Sequence, residues 1–230
     1  AAKFGSAINS RERKVIVESG TNRREVDFST NTLSEEQLNN TIARADSAPK
    51  KVYFLSGHGE YSPDSKELTG LSKFTQLLAS NNIQSKSLML GISKAIPPDC
   101  DVLIIAGPKS HLTLSEEGLI NDYLAKGGDA LFLVEHSLVS PHANPLSKAQ
   151  LQLNPSLNSL LSHWGLEVQA DVVVDISNHV GDDVGSPATK NYQSHKAITN
   201  GLDYTFYVRP RSIRVLPKRR TSIKLAVIAS

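Results

Sequence analysis

The chain has 230 residues, of which 39% are hydrophobic and 21% charged, with a formal net charge of +2. That balance supports a folded core and excludes global disorder. So small a net charge implies no nucleic-acid or other polyanionic partner, and the length suits one α/β core with room for a smaller appendage. The single cysteine, Cys100, excludes an internal disulfide but does not identify a compartment. No apolar run approaches the ~18 residues of a membrane span. Ala1 to Ser6 is no signal peptide and carries no initiator methionine, so a processed product or excised fragment is expected, with membrane anchors outside it.

In chain order, Val15–Glu18 and Arg24–Phe28 flank Ser19-Gly20-Thr21-Asn22 and predict a hairpin. Thr32 and Glu35 fit a capping box that opens a helix to about Ala45, and Pro49 closes this preface. Residues 1–50 are thus expected to pack as hairpin and helix on a main domain of residues 51–230. Val52–Leu55 reads as a strand buried on both faces. A helix from about Lys66 to Ala79 would carry Leu68, Leu71, Phe74, Leu77 and Leu78 on its apolar stripe, and Gln84–Leu90 would be the next strand. Asp101–Ala106 is a second buried strand. Thr113 and Glu116 form another capping box, whose helix ends at Lys126-Gly127-Gly128 before strand Ala130–Val134.

Strands alternating with helices in this way predict an α/β fold of three layers. Its mostly parallel sheet has right-handed crossovers and resembles a flavodoxin-like or class I glutamine amidotransferase-like sheet. Beyond Glu135 the rhythm changes. Residues 136–152 read as a long loop or lid, Asn154–Gly165 as a helix, Leu166–Asp175 as strand material, and Ser177–Gln193 as a mobile Gly/Asp/Asn-rich stretch. Ile213–Leu216 and Ile223–Ile228 supply late strands. The basic run Arg209–Arg220 is interrupted by apolar residues and prolines and reads as a strand with solvated ends.

Chemistry-bearing residues concentrate at strand ends. Gly57 and Gly59 permit a sharp turn after Leu55, placing His58 and Glu60 at the carboxyl rim of the sheet, where α/β proteins bind ligands. If that strand neighbours Asp101–Ala106, the loops Gly57–Ser62 and Gly107–Ser110 face each other. His58, Glu60, Lys109 and Ser110 then share one cleft, with Lys109 poised to pair with Glu60 or meet an anion. The helix after Thr113 points its amides toward the same rim.

A cysteine or serine nucleophile is disfavoured. Cys100 precedes a strand instead of sitting on a strand–helix elbow, and Asp99 and Asp101 would raise its thiol pKa. No Gly-x-Ser-x-Gly pattern occurs. Neither His58 with Glu60 nor Asp175, His179, Asp182 and Asp183 has the spacing of a known metal site, and His195 reads as part of a turn. Gly57–Glu60 is neither a P-loop nor a dinucleotide fingerprint, so no metal and no cofactor is expected.

The run Lys50–Glu60 resembles a signature of the ABC-type transport auxiliary component family, which includes the gliding-motility auxiliary proteins. That family is related to the N-terminal domain of an intraflagellar-transport subunit. Asp101–Lys109, Leu112–Glu117, Tyr123–Gly128, Pro155–Leu161, Trp164–Val168 and Val172–Asp175 extend the resemblance. Ser194–Gly201 adds to it, with Lys196-Ala197 where His-Pro is usual. The resemblance implies a non-catalytic, extracytoplasmic domain of a membrane-anchored accessory protein, with ABC permease and ATPase subunits as partners; the cleft read from the facing loops, at Gly57, His58, Gly59, Glu60, Lys109 and Ser110, would then take a carbohydrate or other polar ligand. Two readings compete with it: a hydrolase or transferase using a His58/Glu60 acid–base or metal site, and a scaffold whose Gly57–Glu60 turn is purely structural.

Overall fold

The computed structural model describes residues 13–20, 22–46, 48–134, 157–193, 198–199, 201–217, 222–227 and 229. The expected lid at 136–152 and His195 lie outside the described residues.

β1 (Lys14–Ser19) and β2 (Asn22–Asp27) pair antiparallel around Gly20, whose φ of 56° suits a residue without a Cβ. α1 (Glu35–Asp46) packs on this hairpin. Its capping box sits two residues later than expected: Gln37 N donates to Ser34 Oγ, and Ser34 N donates to Gln37 Oε1. Glutamine serves this reciprocal bond as well as glutamate, so the box forms at Ser34 and Gln37 in place of Thr32 and Glu35.

The main sheet contains β3 (Lys50–Leu55), β4 (Ile83–Leu88), β5 (Val102–Ala106) and β6 (Asp129–Leu133), all parallel, in the order β4-β3-β5-β6. Strand order reverses at β3, which pairs with β4 on one side and β5 on the other. The side chains of β3 and β5 alternate between two cores. Val52, Phe54, Ile104 and Ala106 face Leu71, Phe74 and Leu78, with the Phe54 and Phe74 rings edge to face at 6.2 Å. Tyr53, Leu55, Leu103 and Ile105 pack with Ile120, Leu160 and Leu161 on the opposite face. Each fully buried aliphatic side chain contributes about 2 kcal/mol, so β3 and β5 supply a large share of the fold's stability.

α2 (Ser72–Ser80) starts six residues later than the apolar pattern predicted. Residues 62–71 fold back on themselves: Leu71 N donates to Ser62 O, and Ser72 N to Ser65 O. A Cβ on Gly70 would lie 2.1 Å from Ser65 O, so this fold-back depends on glycine. Leu71, Phe74 and Leu78 pack, whereas Leu68 and Leu77 stay exposed. β4 stops at Leu88 and is followed by the single turn α3 (Leu90–Ser93), which buries Leu90 completely.

α4 (Leu114–Ala125) carries the expected Thr113/Glu116 capping box. The later elements are shorter than predicted. α5 (Asn158–Leu161) runs into a 3-10 turn over Ser162–Trp164, and Gly165 at φ 83° ends it. Of the strand expected over Leu166–Asp175, only β7 (Leu166–Val168) forms, paired antiparallel with β10 (Ile213–Val215). β8 (Ala188–Thr189) and β9 (Thr205–Phe206) make a second small ladder. Residues 222–227 form no strand; Ala229 bridges to Tyr192 instead. Among the described residues no helix is long and apolar enough to cross a membrane.

Candidate functional site

β3 and β5 are neighbours, so the loops after them meet where the strand order reverses. Lys109 N and Ser110 N both donate to His58 O, at 2.7 and 3.0 Å, and Tyr61 N donates to Ala106 O at 2.9 Å. Gly57 at φ 119° and Gly59 at φ 79° let the first loop double back. A Cβ on Gly59 would press on Lys109 Cβ at 3.0 Å, so the lysine stem lies directly over that glycine.

At the centre His58 is buried and bonded on every polar side. Its backbone N donates to Glu60 Oε2 at 2.7 Å, and its Nδ1 lies 2.9 Å from Glu60 Oε1. Its Nε2 lies 3.1 Å from Glu116 Oε2. Glu116 Oε2 also accepts from Thr113 N at 2.9 Å and Thr113 Oγ1 at 2.7 Å, while Thr113 Oγ1 accepts from Glu116 N. One carboxylate therefore caps α4 and clasps the imidazole. The expected helix-terminus anion position is filled from within, by Glu116, where the helix dipole favours negative charge.

Burial opposes charge on His58, yet the hydrogen bonds to Glu60 and Glu116 outweigh it and hold the imidazole above its ordinary pKa of 6.5. Burial likewise opposes charge on Glu116, and the Thr113 and His58 bonds overcome it, holding the carboxyl below 4.5. The two shifts have matching signs, each group favouring the charged form of the other.

Lys109 and Ser110 are exposed. The Lys109 ammonium donates to Tyr61 Oη at 3.1 Å and stands 4.4 Å from the Tyr61 ring centroid. Burial lowers its pKa. The six expected residues are therefore brought together in two depths: His58 and the Glu60 carboxylate inside, Lys109 and Ser110 outside, and the two glycines shaping the turn. Sequence reasoning missed Glu116 and Tyr61. The Thr113/Glu116 box was legible, but nothing in its local pattern said that the same carboxylate would reach His58.

The other chemistry-bearing residues have structural duties. Asp99 bonds Lys51 Nζ and Tyr53 Oη, and Asp101 bonds Lys50 Nζ and Lys51 N, tying β3 to the entry of β5. Cys100 between them has its thiol pKa raised, chiefly by burial, with both aspartates adding to it. Asp175 Oδ1 accepts from Ser177 N and Asn178 N, and Asp183 Oδ1 from Gly185 N, closing turns. Among the described residues no cluster could hold a metal ion. One cavity, of about 360 Å³, lies beside His179, Tyr204 and Phe206, and another, of about 600 Å³, runs along β4. None of the six rim residues lines either of them.

Residues 49–204, more than half of the chain, match the model of a family of auxiliary components described as "ABC-type uncharacterized transport system". No curated protein is significantly similar to the chain. Among solved structures, one titled "mmIFT52 N-terminal domain" superposes with a TM-score of 0.54 at 21% identity, covering 72% of this chain and 68% of that one. At that identity the likeness is one of fold.

Proposed function

The chain belongs to the auxiliary-component family of ABC-type transport systems, and on that premise we propose that it is a non-catalytic, extracytoplasmic accessory domain. In this reading it works beside permease and ATPase subunits in transport or gliding motility, anchored by segments outside this sequence. The strand order β4-β3-β5-β6 supports a flavodoxin-like or amidotransferase-like assignment, since it matches the first four strands of the flavodoxin order. The observation that carries the non-catalytic reading is His58. Both ring nitrogens face carboxylates within 3.1 Å, leaving neither free to exchange a proton with a substrate. A hydrolase or transferase built on His58 and Glu60 would have to break this clasp first.

The rim then acts as a rigid platform. His58, Glu60, Gly57 and Gly59 hold the turn from behind, and Lys109 and Ser110 present a cation and a hydroxyl to a glycan or other polar ligand. The saturation of His58 also favours a second reading, in which the turn is scaffold and the outer surface meets only transporter subunits. A thermal-shift screen of glycans and metabolites, run on wild type, Lys109→Ala and Ser110→Ala, separates them. A ligand whose stabilisation disappears in Lys109→Ala supports the platform. Capture of permease subunits unaffected by either substitution, with no small-molecule hit, supports the scaffold. Turnover of ester, amide or phosphate substrates that is abolished in His58→Ala would refute the non-catalytic reading.

A further inference from the structure

β4 is the outermost strand of the main sheet: among the described residues it pairs with β3 on one side and with no strand on the other. One bond fixes which peptide groups face outward. Leu88 O accepts from Ser56 N, so the backbone of Leu88 faces β3, and strand alternation turns the N–H and C=O groups of Ile83, Ser85 and Ser87 the other way. Among the described residues no hydrogen bond reaches these outward groups. They form a row roughly 13 Å long with the spacing of a strand ladder.

An open edge of this kind is a template for a further strand, and natural sheets ordinarily blunt it with proline, a bulge or charge. β4 has no proline, and its residues run in unbroken register with β3 from Ile83 to Leu88. Its one charged residue, Lys86, lies against the Tyr53 ring on a face of the sheet, 5.5 Å from the centroid, instead of across the edge. A groove of about 600 Å³ runs beside this edge, with Arg24 of β2 and Arg44 of α1 in its wall and no carboxylate in its described lining. Among the described residues neither arginine is ion-paired. Arg24 Nη1 donates to Arg23 O at 3.4 Å and Arg44 Nη1 to Ser80 O at 3.3 Å, both long bonds to neutral carbonyls.

The two arginines decide which strand the edge accepts. A second copy of this chain, pairing β4 with β4, would bring the same cations toward one another, whereas a strand bearing carboxylates meets them with opposite charge. We propose that the outer edge of β4 takes an extended, acidic segment of a partner protein as an additional strand of the sheet. Main-chain bonds to Ile83, Ser85 and Ser87 hold the segment, and carboxylates lying toward Arg24 and Arg44 select it. The near-neutral net charge does not oppose this, because the arginines act locally. The site lies away from the Gly57–Glu60 rim, and its failure would leave the function proposed above untouched.

The test is titration of the full chain, at low ionic strength, with a capped octapeptide of alternating glutamate and valine. Two further octapeptides accompany it: one N-methylated at every amide, which keeps the charges and loses every backbone donor, and one with lysine in place of glutamate. Arg24→Ala, Arg44→Ala, Ser87→Pro and a distant control, Lys126→Gln, are titrated alongside, and melting curves establish that each is folded. If Ser87→Pro fails to fold, the N-methylated peptide carries the test, because it leaves the protein unaltered. One glutamate peptide per chain is expected, with hydrogen exchange slowed at the amides of Ile83, Ser85 and Ser87. Affinity falls about fivefold in each arginine variant, about fivefold in Ser87→Pro and at least about tenfold with the N-methylated peptide. It is unchanged in Lys126→Gln and falls with added salt. No binding, or equal binding of the N-methylated or lysine peptide, overturns the proposal. Self-association that protects the same amides without peptide also overturns it, and would assign the edge to a second copy of this chain.

Discussion

His58 Nε2 stands 3.1 Å from Glu116 Oε2, so the loop leaving β3 is tied to the first turn of α4 through one buried imidazole. Glu60 closes the other side of the ring at 2.9 Å. The side chains of all three are less than a tenth exposed, and removing the central cation would leave two shielded carboxylates facing each other.

Replacing His58 with alanine is therefore expected to destabilise the fold by about 3 kcal/mol, the ordinary cost of breaking a buried pair by losing one partner. His58→Gln, which keeps a hydrogen-bonding side chain, recovers part of the loss. Glu116→Ala removes the carboxylate half of the capping box and the clasp together, leaving the Thr113 hydroxyl cap, and should cost about as much. Urea unfolding of the three variants measures these differences; a loss below about 1 kcal/mol for His58→Ala would mean that the clasp contributes no more than a surface pair.

The same clasp sets a pH dependence. His58 has a raised folded-state pKa, so its contribution is fully present below 6.5 and disappears as pH rises through the raised value. Glu116 has a lowered one, so its contribution is present above 4.5 and disappears as pH falls through the lowered value. Together they give the clasp its full strength between 4.5 and 6.5. Unfolding free energies measured across pH should fall on the alkaline side in wild type, and that limb should flatten in His58→Gln.

Two glycines should resist substitution for different reasons. Gly59→Ala places a Cβ against the Lys109 stem at a φ of 79°, with an expected cost of about 2 kcal/mol. Gly70 needs no unusual φ, but its Cβ would meet Ser65 O at 2.1 Å, so Gly70→Ala should cost about 3 kcal/mol by forcing the fold-back before α2 apart. Melting temperatures rank them, and Gly127→Ala, with open space around its Cβ position, serves as the comparator for strain without contact.

Cys100 should behave as an inert thiol. Because burial leads the rise in its pKa, a disulfide reagent at neutral pH is expected to modify it slowly in the native protein and quickly once the chain is unfolded. Asp101→Asn should change that rate less than unfolding does. Fast native labelling would contradict the assignment of Cys100 to structure.

Local patterns carried most of the sheet. The unbroken apolar runs at Val52–Leu55 and Asp101–Ala106 announced strands buried on both faces, and the Thr113/Glu116 box marked the start of α4, because each signal depends only on neighbours a few residues apart. The start of α2 was misread for the same reason: the apolar spacing continued back through Leu68, but the contact between Gly70 and Ser65 breaks the helix, and spacing does not encode such a contact. The rim followed the same division. His58, Glu60, Lys109 and Ser110 could be assigned to two facing loops from strand order alone. The ring's second carboxylate could not, because Glu116 reaches His58 only after β3, β5 and α4 have packed. A linear sequence specifies backbone preference and burial through near neighbours; which distant charges end up sharing a low-dielectric space is settled by how the layers close on one another.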